Sequence, residues 1–238
     1  MTGSADARRD EIAANLARVQ GRISQACARS GRDPGEVTLT VVTKFFPDTD
    51  VRLLAELGVR HVGENRHQEA QAKAAQCADL GLTWHFIGGL QSNKAAAVAS
   101  YSDVVESVDR AKLLAGLARG AHSAGRQVDV LVQVGLDPEE ASTGRSGVAP
   151  QAAAELSARV VETQGLRLRG VMAVAPLGAD PLPAFKKLLE VAQQVRRVDP
   201  TATWVSAGMS NDFEVAIAAG ATHVRIGSAV LGARPAKR

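Results

Sequence analysis

One unit recurs along this chain: a short apolar strand, a polar or glycine-bearing turn, and a helix rich in alanine and leucine. Its period averages roughly 24–27 residues, within reach of the ~30 usual for a strand–helix–strand step. The strands fall at Leu39–Thr43, His61–Glu64, Trp84–Ile87, Val104–Ser107, Val130–Val134, Leu168–Val174, Thr203–Ser206 and His223–Gly227. Between them Asp50–Leu57, Gln68–Cys77, Lys94–Ala99, Ala111–His122, Ala152–Val161, Ala184–Arg197 and Asn211–Ala218 read as helices, because good helix formers dominate and proline stays outside their interiors. Strict alternation of strand and helix is the signature of a parallel sheet. An open doubly wound sheet gives the same alternation. The count of strands favours an α/β fold of one particular kind, a single (β/α)8 TIM-type barrel.

Ahead of the first strand, Ile12, Leu16, Val19, Ile23 and Cys27 recur at helical spacing, which predicts an additional N-terminal helix to about Ser30. Residues 1–10 read as a polar N-terminal tail and 11–238 as the barrel domain. At 238 residues the chain suits one such domain, and no Pro/Gly/Ser-rich linker divides it. Asp137–Pro150 is the least regular stretch and reads as a long loop over the carboxyl face of the fifth strand. Hydrophobic residues make up 45% and aromatic residues 3%, so the core must be aliphatic and disorder is not expected. The net charge of +3, from 28 Lys+Arg against 25 Asp+Glu, is spread along the chain and gives no nucleic-acid arm. Cys27 and Cys77 form neither a disulfide framework nor a metal-ligand spacing, which fits a reducing compartment. No apolar stretch follows Arg8-Arg9, so a signal peptide and a membrane span are not expected and the chain reads as cytoplasmic.

The chemistry centres on Lys44. It stands at the carboxyl end of the first strand, in Val41-Val42-Thr43-Lys44-Phe45-Phe46-Pro47, where its amine would enter the barrel mouth. Apolar neighbours there would desolvate the ammonium and make the neutral amine available to attack an aldehyde. An ordinary surface lysine capping a strand would look the same.

Near the C-terminus, Val205-Ser206-Ala207-Gly208-Met209-Ser210-Asn211-Asp212 ends one strand with small residues and opens a helix, an arrangement that suits a phosphate. Val224-Arg225-Ile226-Gly227-Ser228 ends the last strand in a second small turn. Barrels often bind phosphate after strands seven and eight, where both turns fall, although glycine turns are also common as plain structure. Arg225 lies inside a strand between apolar residues and must have an acceptor. A carboxylate would serve, and so would the ring nitrogen of a bound cofactor. His61, His67, His122 and His223 show no paired ligand spacing, and the glycines match neither GxGxxG nor a Walker sequence, so neither metal nor nucleotide binding is indicated.

These segments carry a resemblance. Thr43-Lys44-Phe45-Phe46-Pro47, Gly63-Glu64-Asn65-Arg66, Trp84 to Lys94, Ser142-Thr143-Gly144-Arg145-Ser146-Gly147, Gly170-Val171-Met172, Ser206 to Asp212 and Arg225-Ile226-Gly227 resemble, in order, the pyridoxal phosphate homeostasis protein family. That family is related to the N-terminal barrel of alanine racemase. Phe45-Phe46 departs from the polar pair often seen after the lysine. The resemblance implies that Lys44 carries pyridoxal 5′-phosphate as a Schiff base and that Ser206, Gly208, Ser210, Gly227 and Ser228 surround its phosphate. It also implies that Arg225 faces the pyridine nitrogen, where an always-charged guanidinium makes the ring a poorer electron sink. Asn65 either bonds the cofactor's phenolic oxygen, or positions Lys44, or bonds local turn backbone. His85 falls mid-strand and reads as an interior packing residue with one satisfied nitrogen ahead of a base; contact of His85 or Met172 with the cofactor stays open.

Racemisation needs a proton acceptor on each face of the substrate's α-carbon, and Lys44 can supply only one. In the racemases the other is a tyrosine from a second domain, whereas the single tyrosine here, Tyr101, precedes the fourth strand on the amino-terminal side. The expectation is therefore a non-catalytic protein of intracellular pyridoxal phosphate homeostasis, a monomer whose partners are the cofactor and apo-enzymes that use it. The alternative is a small racemase or lyase with an unrecognised second base such as His85.

Overall fold

The computed structural model describes residues 2–136 and 147–233, with side chains from residue 6. Eight parallel strands close into a barrel in chain order: β1 (Thr38–Val42), β2 (His61–Glu64), β3 (Thr83–Phe86), β4 (Val104–Val108), β5 (Val128–Gln133), β6 (Leu166–Met172), β7 (Trp204–Ser206) and β8 (His223–Ile226). Closure is made by β1 on β8, with Thr38 opposite His223 and Val41 opposite Ile226. The helices are α1 (Thr2–Arg29), α2 (Asp48–Glu56), α3 (His67–Gln76), α4 (Ala95–Ala99), α5 (Leu114–Ser123), α6 (Ala153–Val161), α7 (Pro181–Val198), α8 (Phe213–Ala219) and α9 (Ser228–Leu231). The expected barrel and every expected strand are present, with ends moved by a few residues.

The N-terminal tail is a correction. Helix α1 begins at Thr2, so residues 2–10 extend the helix. The reason is tertiary: Arg8 donates to Asp50 Oδ2 at 2.6 Å and to the Leu231 carbonyl at 3.0 Å, which ties the first turns of α1 to α2 and α9. Further along, Ile12, Leu16, Val19, Ile23 and Cys27 form the buried stripe and pack with Phe213, Ile217, Val230 and Leu231. Helix α7 starts where Asp180 accepts from the Leu182 N–H and Pro181 supplies a first residue that needs no donor. Of the expected loop Asp137–Pro150, residues 137–146 lie outside the described residues, as does Ser142–Ser146 of the motif that ends at Gly147.

Two layers make the core. Aliphatic side chains fill the space between strands and helices, as the composition requires. Inside the barrel Val104, Leu131 and Met172 cluster beside Trp204. The rest of that interior is polar: Thr40, His85, Glu106, Ser206, His223 and Arg225 are all buried. Gly170, at φ 148°, permits the close passage of β7, since a Cβ there would sit 1.9 Å from the Trp204 carbonyl oxygen.

Candidate functional site

A cavity of about 470 Å³ opens at the carboxyl ends of the strands, within the usual range for small-ligand sites. Lys44 enters it from the turn after β1, and Phe46 and Ile87 line one side. The loop after β6 contributes Ala175, Pro176 and Leu177, the last 83% exposed at the rim. Ser210 and Asp212 come from the turn after β7, and Arg225, Gly227 and Ser228 from the end of β8. Hydroxyls of Ser210 and Ser228 lie 3.4 Å apart. Asp212 turns its Oδ1 onto the Met209 N–H at 2.6 Å, which closes the turn that carries Ser210. One amine, two hydroxyls and a guanidinium thus converge around small residues, a donor set that fits an anionic ligand bearing an electrophile.

The structure brings Lys44, Ser210, Arg225, Gly227 and Ser228 to this cavity and leaves Asn65, Ser206 and Gly208 outside its lining. Ser206 is fully buried beneath it. Its hydroxyl donates to Glu106 Oε2 at 2.6 Å and accepts from Arg225 Nη1 at 2.6 Å. Gly208 adopts φ 91° over Phe213 and Ala216, and its carbonyl accepts from the Arg225 N–H at 2.9 Å, so it shapes the wall from behind. The Oδ1 of Asn65 is buried without a hydrogen-bond partner, and the Asn65 carbonyl is so close to Gly88 that a Cβ there would sit 2.1 Å from it.

Arg225 finds the acceptors its position demands within the protein, the Ser206 hydroxyl among them. Nη2 donates to the Ala173 carbonyl at 2.8 Å, and Glu106 Oε2 lies 3.7 Å from Nη1. Burial lowers the guanidinium's affinity for its proton and Glu106 restores part of it. Burial also pushes the Glu106 carboxyl up, but the hydrogen bond from His85, the charges of His85 and Arg225, and the Ser206 hydroxyl together hold it down at about 2. His85 donates from Nδ1 to Glu106 Oε1 at 2.7 Å, and its Nε2 shares a hydrogen bond with His61 Nδ1 at 3.0 Å. Both nitrogens are engaged, one more than expected from the sequence. Neither His85 nor Met172 lines the cavity. His61 is lowered to about 4, first by burial and then by His85.

Glu106 was open to the same reasoning as Arg225, because it interrupts Val104-Val105-Glu106-Ser107-Val108, and a charge in an apolar strand needs a partner. Lys73 and Glu69, which reach the turn around Lys44 from α3, carry no such mark in an alanine-rich helix.

Residues 8–235 match the family model of the alanine racemase N-terminal domain, and the chain belongs to that family. The pyridoxal phosphate homeostasis protein of Mycobacterium tuberculosis (strain ATCC 25618 / H37Rv) is 41% identical over 243 residues, covering 95% of this chain and 94% of the relative. Its namesake in Escherichia coli (strain K12) is 38% identical over 235 residues, covering 94% and 97%. Among solved structures, PipY of Synechococcus elongatus PCC7942, solved with PLP bound, superposes with a TM-score of 0.79 at 35% identity, covering 93% of this chain and 100% of PipY.

Proposed function

We propose that this protein holds pyridoxal 5′-phosphate through Lys44 as part of intracellular cofactor homeostasis, without turning over amino acids itself. The observation that carries the proposal is the meeting of the Lys44 amine with Ser210, Ser228 and Arg225 in one cavity, in a chain whose relatives are named for pyridoxal phosphate homeostasis. When bound, the group supplies an aldehyde that condenses with a lysine amine, releasing water, and a phosphate tail. The residues present fit both ends: an amine for the first, and the two hydroxyls with the small backbone of Gly227 for the second. Arg225 is anchored on Ser206, Ala173 and Glu106, and with the group bound it would keep positive charge beside the ring nitrogen. Ser206 and Gly208 act behind the lining by fixing Arg225.

The non-catalytic part of the proposal rests on proton acceptors. The only tyrosine of the sequence, Tyr101, stacks on His67 and does not line the cavity. His85, the other candidate base, has its ring nitrogens on Glu106 and His61. Neither can take a proton from a substrate over the Lys44 amine. The protein works as a cytoplasmic monomer that passes the cofactor to apo-enzymes; the two cysteines are both free and buried, and no helix among the described residues is long and apolar enough to cross a membrane. The test is an absorption spectrum of purified protein loaded with the cofactor, before and after borohydride reduction, followed by peptide mapping. The label is expected on Lys44 and no α-proton exchange with an amino-acid panel above the free-cofactor background. A label on another lysine, or sustained exchange, would overturn the proposal.

A further inference from the structure

Lys44 sits second in a tight turn closed by the Phe46 N–H on the Thr43 carbonyl at 3.1 Å. The third residue, Phe45, has φ 72°, the left-handed region where such a turn favours glycine or asparagine, and it is the only residue other than glycine with positive φ among those described. Something outside the turn must hold this conformation. Helix α3 provides it. Lys73 Nζ donates to the Thr43 carbonyl at 2.8 Å, to Glu64 Oε1 at 2.7 Å and to Glu69 Oε1 at 2.8 Å. The same Glu69 oxygen accepts from the Phe45 N–H at 2.7 Å, and Thr43 Oγ1 donates to Glu64 Oε1 at 2.7 Å. A simple tether between helix and barrel would need only the Lys73–Glu64 pair. Here two of the remaining bonds fall on the peptide groups that flank Lys44, one on its amino side and one on its carboxyl side.

We infer that Lys73 and Glu69 are positioning residues for Lys44, clamping the backbone on both sides so that the amine is aimed into the cavity before the cofactor arrives. Lys73 is itself unavailable to an aldehyde, since all three of its protons are committed and its side chain is buried. Glu69 is the more exposed half of the clamp, half-buried where Lys73 is enclosed. The clamp's bonds fall on the peptides around Lys44 and on none of the groups suited to a phosphate, the Ser210 and Ser228 hydroxyls and Gly227 in the turns after β7 and β8, so it acts on covalent capture and not on phosphate recognition.

The inference rests on the carrier proposal and is tested by comparing two ligands. Pyridoxal 5′-phosphate can bond Lys44, whereas pyridoxine 5′-phosphate has an alcohol in place of the aldehyde and can only dock. Glu69→Ala and Lys73→Met are expected to weaken pyridoxal 5′-phosphate binding about tenfold, the loss of an oriented nucleophile, with docking of the alcohol unchanged. Glu69→Gln keeps an acceptor for the Phe45 N–H and restores most of the loss. If Lys73→Met does not fold, Glu69→Ala carries the comparison alone. Equal weakening of both ligands would mean that the cluster merely supports the fold, and an unaltered affinity for the aldehyde in Glu69→Ala would also overturn the inference. Wild-type protein that bound neither ligand would instead sink the carrier proposal.

Discussion

The hydroxyl of Ser206 sits between the guanidinium of Arg225 and the carboxylate of Glu106, 2.6 Å from each. This places a buried cation and a buried anion in register from opposite sides of the barrel interior, and each relieves the cost of enclosing the other. Replacing Arg225 with Gln leaves Glu106 enclosed without its counter-charge. The variant is expected to lose about 3 kcal/mol of stability in urea denaturation and to release the cofactor more readily on dialysis. Unchanged retention would count against the ring-nitrogen role.

Lys44 lines the cavity mouth without forming part of the packed interior. Lys44→Ala is therefore expected to remain within about 1 kcal/mol of wild type in stability while losing all borohydride-fixable cofactor. A persistent fixed label would move the attachment elsewhere.

Acid is expected to weaken the fold. Burial comes first among the causes that hold His61 at about 4 and His223 at about 3, against an ordinary value of 6.5. Between 6.5 and those values the unfolded chain takes up protons that the folded chain refuses, so stability is full above 6.5 and declines as pH falls. Glu106, at about 2 against 4.5, adds a loss of the same sign lower down. Urea midpoints should drop between about pH 7.5 and about pH 5, and less steeply in His223→Asn. A midpoint that stays level or rises would contradict this account.

Gly88 meets the Asn65 carbonyl so closely that any side chain must push the turn after β2 away. Gly88→Ala is expected to cost about 1–3 kcal/mol by thermal or urea melting, the usual penalty for overfilling a packed place. A melting curve matching wild type would show that the turn yields freely.

The strands were legible because each is a short apolar run at a regular interval, and a buried parallel strand has no other way to look. Lys44, Ser210, Gly227 and Ser228 were legible for a related reason: they sit where strands end, and barrel chemistry gathers there. The network beneath was less so. Arg225 announced a need for an acceptor but not which one, because its partners Glu106, Ser206 and Ala173 come from other strands, brought together only by closure. Likewise the extension of α1 to Thr2 depends on Arg8 finding Asp50 and Leu231, contacts between parts of the chain remote in sequence. The polar first turns of a helix have no signature of their own, and docking decides them.

Helix α1 precedes every strand in the sequence, yet beyond its tie to α2 through Arg8 and Asp50 its partners are α8 and α9, near the far end of the chain: Arg22 pairs with Glu214, and Asn15 bonds the Val230 carbonyl. During synthesis part of this helix's apolar stripe stays uncovered until the last strand has left the ribosome. Completion of the barrel is thus a late, long-range event, and the interval before it is when a nascent chain most needs a chaperone's shelter.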